Sequence, residues 1–344
     1  MRYVVTGGMG FFGSIMTDYL LDSGNEVLVI DCLVDSRLTQ KYNFKQVDIE
    51  NYDLLLNAIT EFGHIDGIFH IAAILGHDKE HKHKLFTSNV TGTKNIMEIA
   101  QKLNNTKVVF TSTNCVFGSG SNNIVAENHP TNPIEDYGRS KLEAEKVILS
   151  YPNILSSIIR CPTIIAAGRL GLLTILFDFI MEERKVYLVG DGHNRYSFIY
   201  ALDLADACYK AMLSDKSGLY HISSDNVPSM KELYSEVANR AHKKIKLVNL
   251  PEFLVVPALK LLYDLNLSPL GPYHYRMLAA NFVLDNTKIK EALNWQPTKT
   301  NIDMLAQAYD YYVEHYQEIQ NAQNLPAHKL KAKAGILNLL KMIS

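Results

Sequence analysis

The sequence carries no excess of charge of either sign, and it has a single tryptophan and only four cysteines in 344 residues. A formal net charge of -2 supplies neither a basic field for nucleic acid nor an acidic tail, so the expected partner is a small molecule. Cys32, Cys115, Cys161 and Cys208 are scattered without CxxC spacing, which suits free thiols in a reducing cytoplasm rather than a disulfide framework. No secretory leader or other targeting segment is expected ahead of the apolar run at Tyr3-Val4-Val5. Long hydrophobic runs are lacking as well. The longest apolar stretch, Thr163 to Ile180, is interrupted by Arg169, Asp178, Gly168 and Gly171, which argues against a membrane span. Internal repeats and low-complexity tracts are absent.

What is present has the composition of a globular protein, 47% apolar and 20% charged. The length suggests one large domain with a smaller lobe. Short β-branched runs at Tyr3-Val4-Val5, Val27 to Ile30, Ile68 to Ile71, Val108 to Phe110 and Ser157-Ile158-Ile159 read as buried strands. Segments with helical spacing of apolar residues, such as Phe12 to Ser23 and Val90 to Leu103, separate them. This alternation predicts an α/β fold, a doubly wound Rossmann-type parallel sheet covered on both faces, followed by a smaller, mostly helical lobe. The expected domains are 1–165 with 195–225 returning to it, a lobe made of 166–194 and 226–318, and a basic tail at 319–344. A helix around Asp203 to Leu213 and a last strand at Leu219 to Ile222 belong to the returning part. From Pro228 onward the pattern reads as mostly helix with an apolar patch at Phe253 to Leu265, of which Phe253 to Leu259 reads as lobe core in preference to the lining of an apolar substrate pocket. The tail, with Lys329, Lys331, Lys333 and Lys341 among leucines, reads as a solvated or packed terminal helix in preference to a lipid-binding one.

Gly7, Gly10 and Gly13 lie in Thr6-Gly7-Gly8-Met9-Gly10-Phe11-Phe12-Gly13, between the first strand and the first helix. Glycine there permits a tight turn, close approach of a pyrophosphate, and packing of the helix on the sheet. The helix N-terminus then presents free N–H groups to phosphate. Asp31 ends the second strand 18 residues after Gly13, where its carboxylate can accept from adenosine ribose hydroxyls and repel a 2′-phosphate. That favours NAD over NADP. Asp48 and Ile49, after the third strand, are placed to meet the adenine.

Tyr137-Gly138-Arg139-Ser140-Lys141 opens a helical stretch, so Tyr137 and Lys141 share one helix face. A phenol titrates near ~10, and a neighbouring ammonium together with an oxidised nicotinamide would draw it toward neutrality. The fourth strand-like run ends in Thr111-Ser112-Thr113-Asn114-Cys115. Hydroxyls at the carboxyl end of a parallel strand face the crevice where ligands bind in such sheets. Thr113 is thereby expected to hold a substrate oxygen, and Ser112 to satisfy turn backbone groups.

Taken together, TGGMGFFG at Thr6, Asp31, Asp48-Ile49, HIAA at His70, NVTGT at Asn89, STNCVFG at Ser112, DYGRSK at Asp136, RCPT at Arg160, the run from Gly190 to Ala207 and LNWQPT at Leu293 resemble the extended short-chain dehydrogenase/reductases. More narrowly, they resemble the NAD-dependent epimerase/dehydratase family typified by nucleotide-sugar 4-epimerases, over roughly residues 1–315. The resemblance implies that Thr113, Tyr137 and Lys141 are catalytic, with Tyr137 and Lys141 also touching the cofactor. It adds Phe11, Phe12, Ile71, Ala72, Ala73 and Asn89 to the NAD site. It further implies a homodimer formed through the helices around Val90–Leu103 and Tyr137–Leu149, and a chemistry that needs no metal.

Within that resemblance the dehydratases carry an Asp-Glu pair where this sequence has Asn114 and Cys115, so 4,6-dehydration is not expected. Cys115 reads as a small buried thiol, although a proton-abstracting role on a transient ketone is the alternative. Asn114, Thr163, Arg195 and Arg276 are the expected substrate contacts, the two arginines for a nucleotide diphosphate. Arg195 is offset by one position from the commonest family pattern. The implied function is an NAD-dependent nucleotide-sugar epimerase working through a keto intermediate. The alternatives are a 3-hydroxysteroid-type or other alcohol dehydrogenase and, from another class, a silent NAD-sensing scaffold. His77, His81 and His83 read as a hydrophilic loop at the substrate entrance rather than a metal site.

Overall fold

Eleven strands and a set of helices follow from this patterning in a computed structural model that describes residues 1–75, 82–118, 120–121, 124–169, 171, 173–265 and 278–321. The strands are β1 Arg2–Thr6, β2 Glu26–Asp31, β3 Asn43–Gln46, β4 Gly67–His70, β5 Lys107–Thr113, β6 Ser156–Cys161, β7 Thr163–Ile165, β8 Lys185–Val189, β9 Phe198–Tyr200, β10 Gly218–His221 and β11 Lys246–Leu250. The helices that matter below are α1 Phe11–Asp22, α2 Ser36–Thr39, α3 Tyr52–Phe62, α4 Gly92–Lys102, α5 Asp136–Leu149, α6 Leu173–Met181, α7 Ala201–Leu213, α8 Met230–Arg240 and α9 Glu252–Asp264.

Seven strands form one sheet in the order β3-β2-β1-β4-β5-β6-β10, all pairs parallel. Successive residues of a strand point to opposite faces, and both faces are buried here. Tyr3 and Val5 pack with α1 and α7, whereas Val4, Leu28 and Ile68 pack with α3, α4 and α5. The order runs outward in two directions from β1 and β4, which opens a crevice at their carboxyl ends. A second apolar cluster, built from α6, α8 and the helix Asn301–Glu314, forms the lobe around Phe177, Tyr309 and Tyr312. The single tryptophan, Trp295, is fully buried and donates its indole N–H to the Asp203 carbonyl at 2.9 Å, tying the late segment back onto α7.

Among the described residues the stretch after Pro228 is mostly helix, as expected, with Lys246–Leu250 pairing in parallel with β8 as β11. One expectation for the lobe needs correction. Phe253 to Leu265 is a helix, α9, but not core: Phe253 is 76% and Leu261 59% exposed. Periodicity cannot distinguish an apolar helix that is covered from one that is not. Arg276, His77, His81 and residues 322–344 lie outside the described residues, and His83 sits on a short 3-10 turn. Among the described residues no helix is long and apolar enough to cross a membrane.

One buried ion pair joins the last helix of the first half to the sheet. Arg160 on β6 donates from Nε and Nη2 to the two carboxylate oxygens of Glu145 on α5, at 2.9 and 2.7 Å. Ser112 on β5 donates to the same carboxylate at 2.5 Å, so its hydroxyl does not serve turn backbone groups as expected. Both charged side chains are almost wholly removed from water. Replacing one partner leaves the other charge buried and uncompensated, whereas a bidentate pair offsets much of its own desolvation. Glu145→Ala should therefore cost about 3–5 kcal/mol of folding stability, read by urea denaturation followed through Trp295 fluorescence. A loss under about 1 kcal/mol would show that the pair is not buried in solution.

Candidate active site

The glycine loop turns where β1 meets α1. Gly7 has φ +74°, and a Cβ there would stand 2.7 Å from the Ala72 backbone. At Gly13 a Cβ would fall 2.0 Å from the Gly7 carbonyl oxygen, so α1 can lie against the loop only without a side chain. Gly10 is the N-cap of α1, and a Cβ there would meet only the Gly7 carbonyl oxygen, at 3.2 Å. Phe11 and Phe12 begin the helix, Phe12 buried in the core. The helix start thus turns its first N–H groups out of the helix beside a bare backbone, which fits a pyrophosphate.

Asp31 closes β2 and holds the loop from outside: the Met9 N–H donates to its Oδ2 and the Leu33 N–H to its Oδ1, each at 2.9 Å. Burial pushes its carboxyl above the ordinary value, while those N–H groups pull it back. Its place at the end of β2, beside the glycine loop, suits a carboxylate that meets a ribose hydroxyl. Asp48 accepts from the Glu50 N–H at 3.0 Å, and Ile49 is buried against Gly92 at the start of α4. Ile71, Ala72 and Ala73 follow β4 and stay partly exposed along the crevice. Asn89, in a π-helical turn over Thr87–Thr91, exchanges hydrogen bonds with the Ile74 backbone at 2.8 and 3.0 Å and donates to Ser140 Oγ at 2.9 Å. Its amide therefore ties the cofactor loop to α5.

His70, at the end of β4, was not among the expected site residues, yet it organises the crevice floor. Its Nδ1 meets Thr6 Oγ1 at 2.8 Å and its Nε2 meets Thr93 Oγ1 at 2.9 Å. Because the Thr93 hydroxyl already donates to the Asn89 carbonyl, His70 must carry its proton on Nε2. Burial, and secondarily Lys141, lower its pKa to about 3, so it stays neutral across the physiological range.

The three expected catalytic residues come together. Tyr137 and Lys141 lie one turn apart on α5, and Thr113 ends β5 beneath them. The Thr113 side chain lies near enough to the Tyr137 hydroxyl to favour its ionised form. Gly138 makes this possible: a Cβ there would stand 2.1 Å from the Cys115 carbonyl oxygen, so α5 can approach the turn after β5 only at a glycine. Lys141 is buried with its Nζ 3.8 Å from the Phe110 ring centroid. Burial lowers its pKa to about 7, against the smaller opposing influence of Cys161 and Glu145. Burial also dominates at Tyr137 and raises its pKa, with Cys115 and Cys161 adding to the rise. The cation that opposes this is Arg169, which the motif reading did not single out, joined by the Thr113 side chain. Without cofactor the phenol therefore stays protonated, contrary to a lysine-driven downward shift.

The expected substrate residues are more dispersed. Asn114 is buried and donates to the Tyr196 hydroxyl at 2.6 Å, and Thr163 meets that hydroxyl at 3.5 Å. Tyr196 thus fills the inward position beside Thr113. Arg195, its neighbour, is exposed, and its backbone is engaged by Asn281 and Phe282. The one-position offset noted in the sequence is what turns Arg195 outward and Tyr196 inward, since adjacent residues in extended backbone face opposite ways. Cys115, expected as a buried thiol, is instead partly exposed on the turn after β5, its thiol 3.8 Å from Asn114 Oδ1.

A parallel sheet with its switch point at β1 and β4, a glycine-lined phosphate cradle, and a Thr–Tyr–Lys set at the carboxyl end of β5 define an NAD-dependent enzyme of the extended short-chain dehydrogenase/reductase type. The model of the NAD dependent epimerase/dehydratase family matches residues 3–223, more than half of the chain, and the protein belongs to that family. It is 31% identical over 340 residues to the uncharacterized protein y4nG of Sinorhizobium fredii, covering 98% of this chain and 85% of that one. With a UDP-glucose 4-epimerase of Mycolicibacterium smegmatis it shares 27% identity over 334 residues, 91% of this chain and 98% of the other. Its fold superposes on the UDP-glucose 4-epimerase of Thermotoga maritima solved with UDP-glucose, with TM-score 0.75 and 20% identity over 92% of this chain and 100% of that one. The Bordetella bronchiseptica enzyme WbmG, solved with NAD and UDP, gives TM-score 0.73 and 18% identity over 91% and 94%.

Two measurements check this geometry. Lys141 has its folded pKa depressed to about 7 against an unfolded value near ~10.4, so between these limits the unfolded chain binds more protons. Stability contributed by this site therefore climbs with pH across that window and is lost as pH falls through 7. In the NAD-free chain Lys141→Met should raise Tm most at pH 6–7, with the gain shrinking toward pH 10; parallel profiles would refute the burial. Gly138→Ala should cost about 1–3 kcal/mol through overpacking and depress turnover by displacing Tyr137 from Thr113. Wild-type stability and turnover in that variant would deny the close approach.

Proposed function

We propose that the protein is an NAD-dependent nucleotide-sugar epimerase that inverts a ring carbinol through a transient ketone. The placement of Thr113 at the end of β5 beside Tyr137, with Lys141 one turn beyond on the same helix, is the observation that carries the reading. The names of the relatives, UDP-glucose 4-epimerases among them, support the substrate class.

Bound NAD supplies a hydride acceptor that can return what it takes. Thr113 holds the substrate oxygen by its hydroxyl, and Tyr137 removes the carbinol proton and later gives it back. Tyr137 has to become a phenolate inside a buried site, so it depends on nearby positive charge, from Arg169 and from the oxidised nicotinamide. Lys141 holds the nicotinamide ribose. Asn114 and Cys115 supply no carboxyl acid/base pair, consistent with epimerisation rather than dehydration. With Arg195 turned outward, the nucleotide diphosphate falls to Arg276, and binding energy from that remote end retains the ketone while it presents its other face. The protein acts as a homodimer through α4 and α5.

Turnover of UDP-glucose or another sugar nucleotide to its epimer, without accumulation of NADH, is the expected outcome in a coupled assay. Steady build-up of NADH would make the enzyme a dehydrogenase instead. Tyr137→Phe should reduce turnover at least ~100-fold, the lower range for a lost general acid/base. Near-normal rates in that variant would remove Tyr137 from the chemistry.

A further inference from the structure

In the sequence Arg169 merely interrupts an apolar stretch. In the structure it follows Gly168, whose φ of +82° turns the chain after β7, and its amide donates to the Ala166 carbonyl at 3.1 Å to close that turn. The side chain is partly buried, and its guanidinium carbon lies 4.9 Å from the centroid of the Phe11 ring. Phe11 is the first residue of α1, immediately beyond the Gly10 N-cap. The same guanidinium acts electrostatically on Cys161 and Tyr137. Arg169 therefore spans the crevice from the phosphate cradle to the catalytic phenol.

Among the described residues this guanidinium makes no hydrogen bond and no ion pair; the Phe11 ring is its neighbour. Burial lowers its pKa, the sign of a charge taken from water without a full counter-charge. Five N–H donors in a planar fork, partly desolvated and turned toward a helix N-terminus, match two non-bridging phosphate oxygens better than any other ligand group. The ring of Phe11 supports the fork from one side and leaves its edge free for such oxygens.

We propose that Arg169 is a cofactor-binding residue whose guanidinium pairs with the pyrophosphate of the bound dinucleotide, joining the α1 amides in one anion site. The proposal rests on NAD as cofactor and is independent of the epimerase reading. The other diphosphate that could enter this crevice is that of a sugar nucleotide, and the experiment separates the two.

Isothermal titration of the nucleotide-free, full-length chain with NAD, adenosine and UDP tests it, in wild type, Arg169→Met and Arg169→Lys. Arg169→Met should raise the Kd for NAD about tenfold or more, the loss of a charge-assisted hydrogen bond, and flatten its salt dependence. The Kd for adenosine, which has no phosphate, should stay within twofold, and Arg169→Lys should recover part of the NAD affinity. An NAD affinity within twofold of wild type in Arg169→Met overturns the proposal, as does an equal loss for adenosine, which would report a collapsed site. Loss of UDP affinity with NAD unchanged overturns it in favour of a substrate-diphosphate contact. Absence of sugar-nucleotide turnover would bear on the epimerase reading alone.

Discussion

The placement of α5 depends on the carboxylate of Glu145. It takes two N–H groups from Arg160 on β6 and the hydroxyl of Ser112 on β5, all inside the protein. Tyr137, Lys141 and Glu145 succeed one another at four-residue intervals, so the ion pair pins the inner face of α5 two turns beyond the phenol and one turn beyond the ammonium. Breaking it removes the contact that sets the depth of Tyr137 and Lys141 against β5. At the other end the same helix is set by Gly138, where the Cys115 carbonyl leaves no room for a side chain. A charge pair and a missing methyl thus locate Tyr137 and Lys141 between them.

The crevice is organised by a second, neutral set of contacts. Thr6, His70, Thr93 and Asn89 run from β1 through β4 to α4 and the turn before it, each hydrogen bond fixing the direction of the next. Asn89 then passes the connection to Ser140 on α5. The crevice floor and α5 are therefore one connected structure. A histidine with a pKa near 3 adds rigidity without adding a titration to the pH dependence of the chemistry.

Electrostatically the site is poised for a cofactor. Burial raises the Tyr137 phenol and lowers the Lys141 ammonium, so each is pushed toward its neutral form in the free protein. Both shifts have one cause, the removal of water, and both are reversed by adding charge of the right sign nearby. A dinucleotide carries charge of both signs, a positive nicotinamide and a negative pyrophosphate.

Local pattern alone determined the strand–helix alternation, the glycine turn, Asp31 at the end of β2 and the Tyr–Lys face of α5, because those features depend on backbone conformation and on spacing of 2.0 or 3.6 residues. Tertiary structure decided what pattern could not carry. Ser112 found a carboxylate 33 residues away, Arg169 turned back to Phe11 across the crevice, and a one-residue offset sent Arg195 to solvent and Tyr196 inward. The apolar run in α9 had the composition of a core yet stands exposed. Hydrophobicity states what a segment would gain by burial, and only the packed chain determines whether a partner surface is within reach.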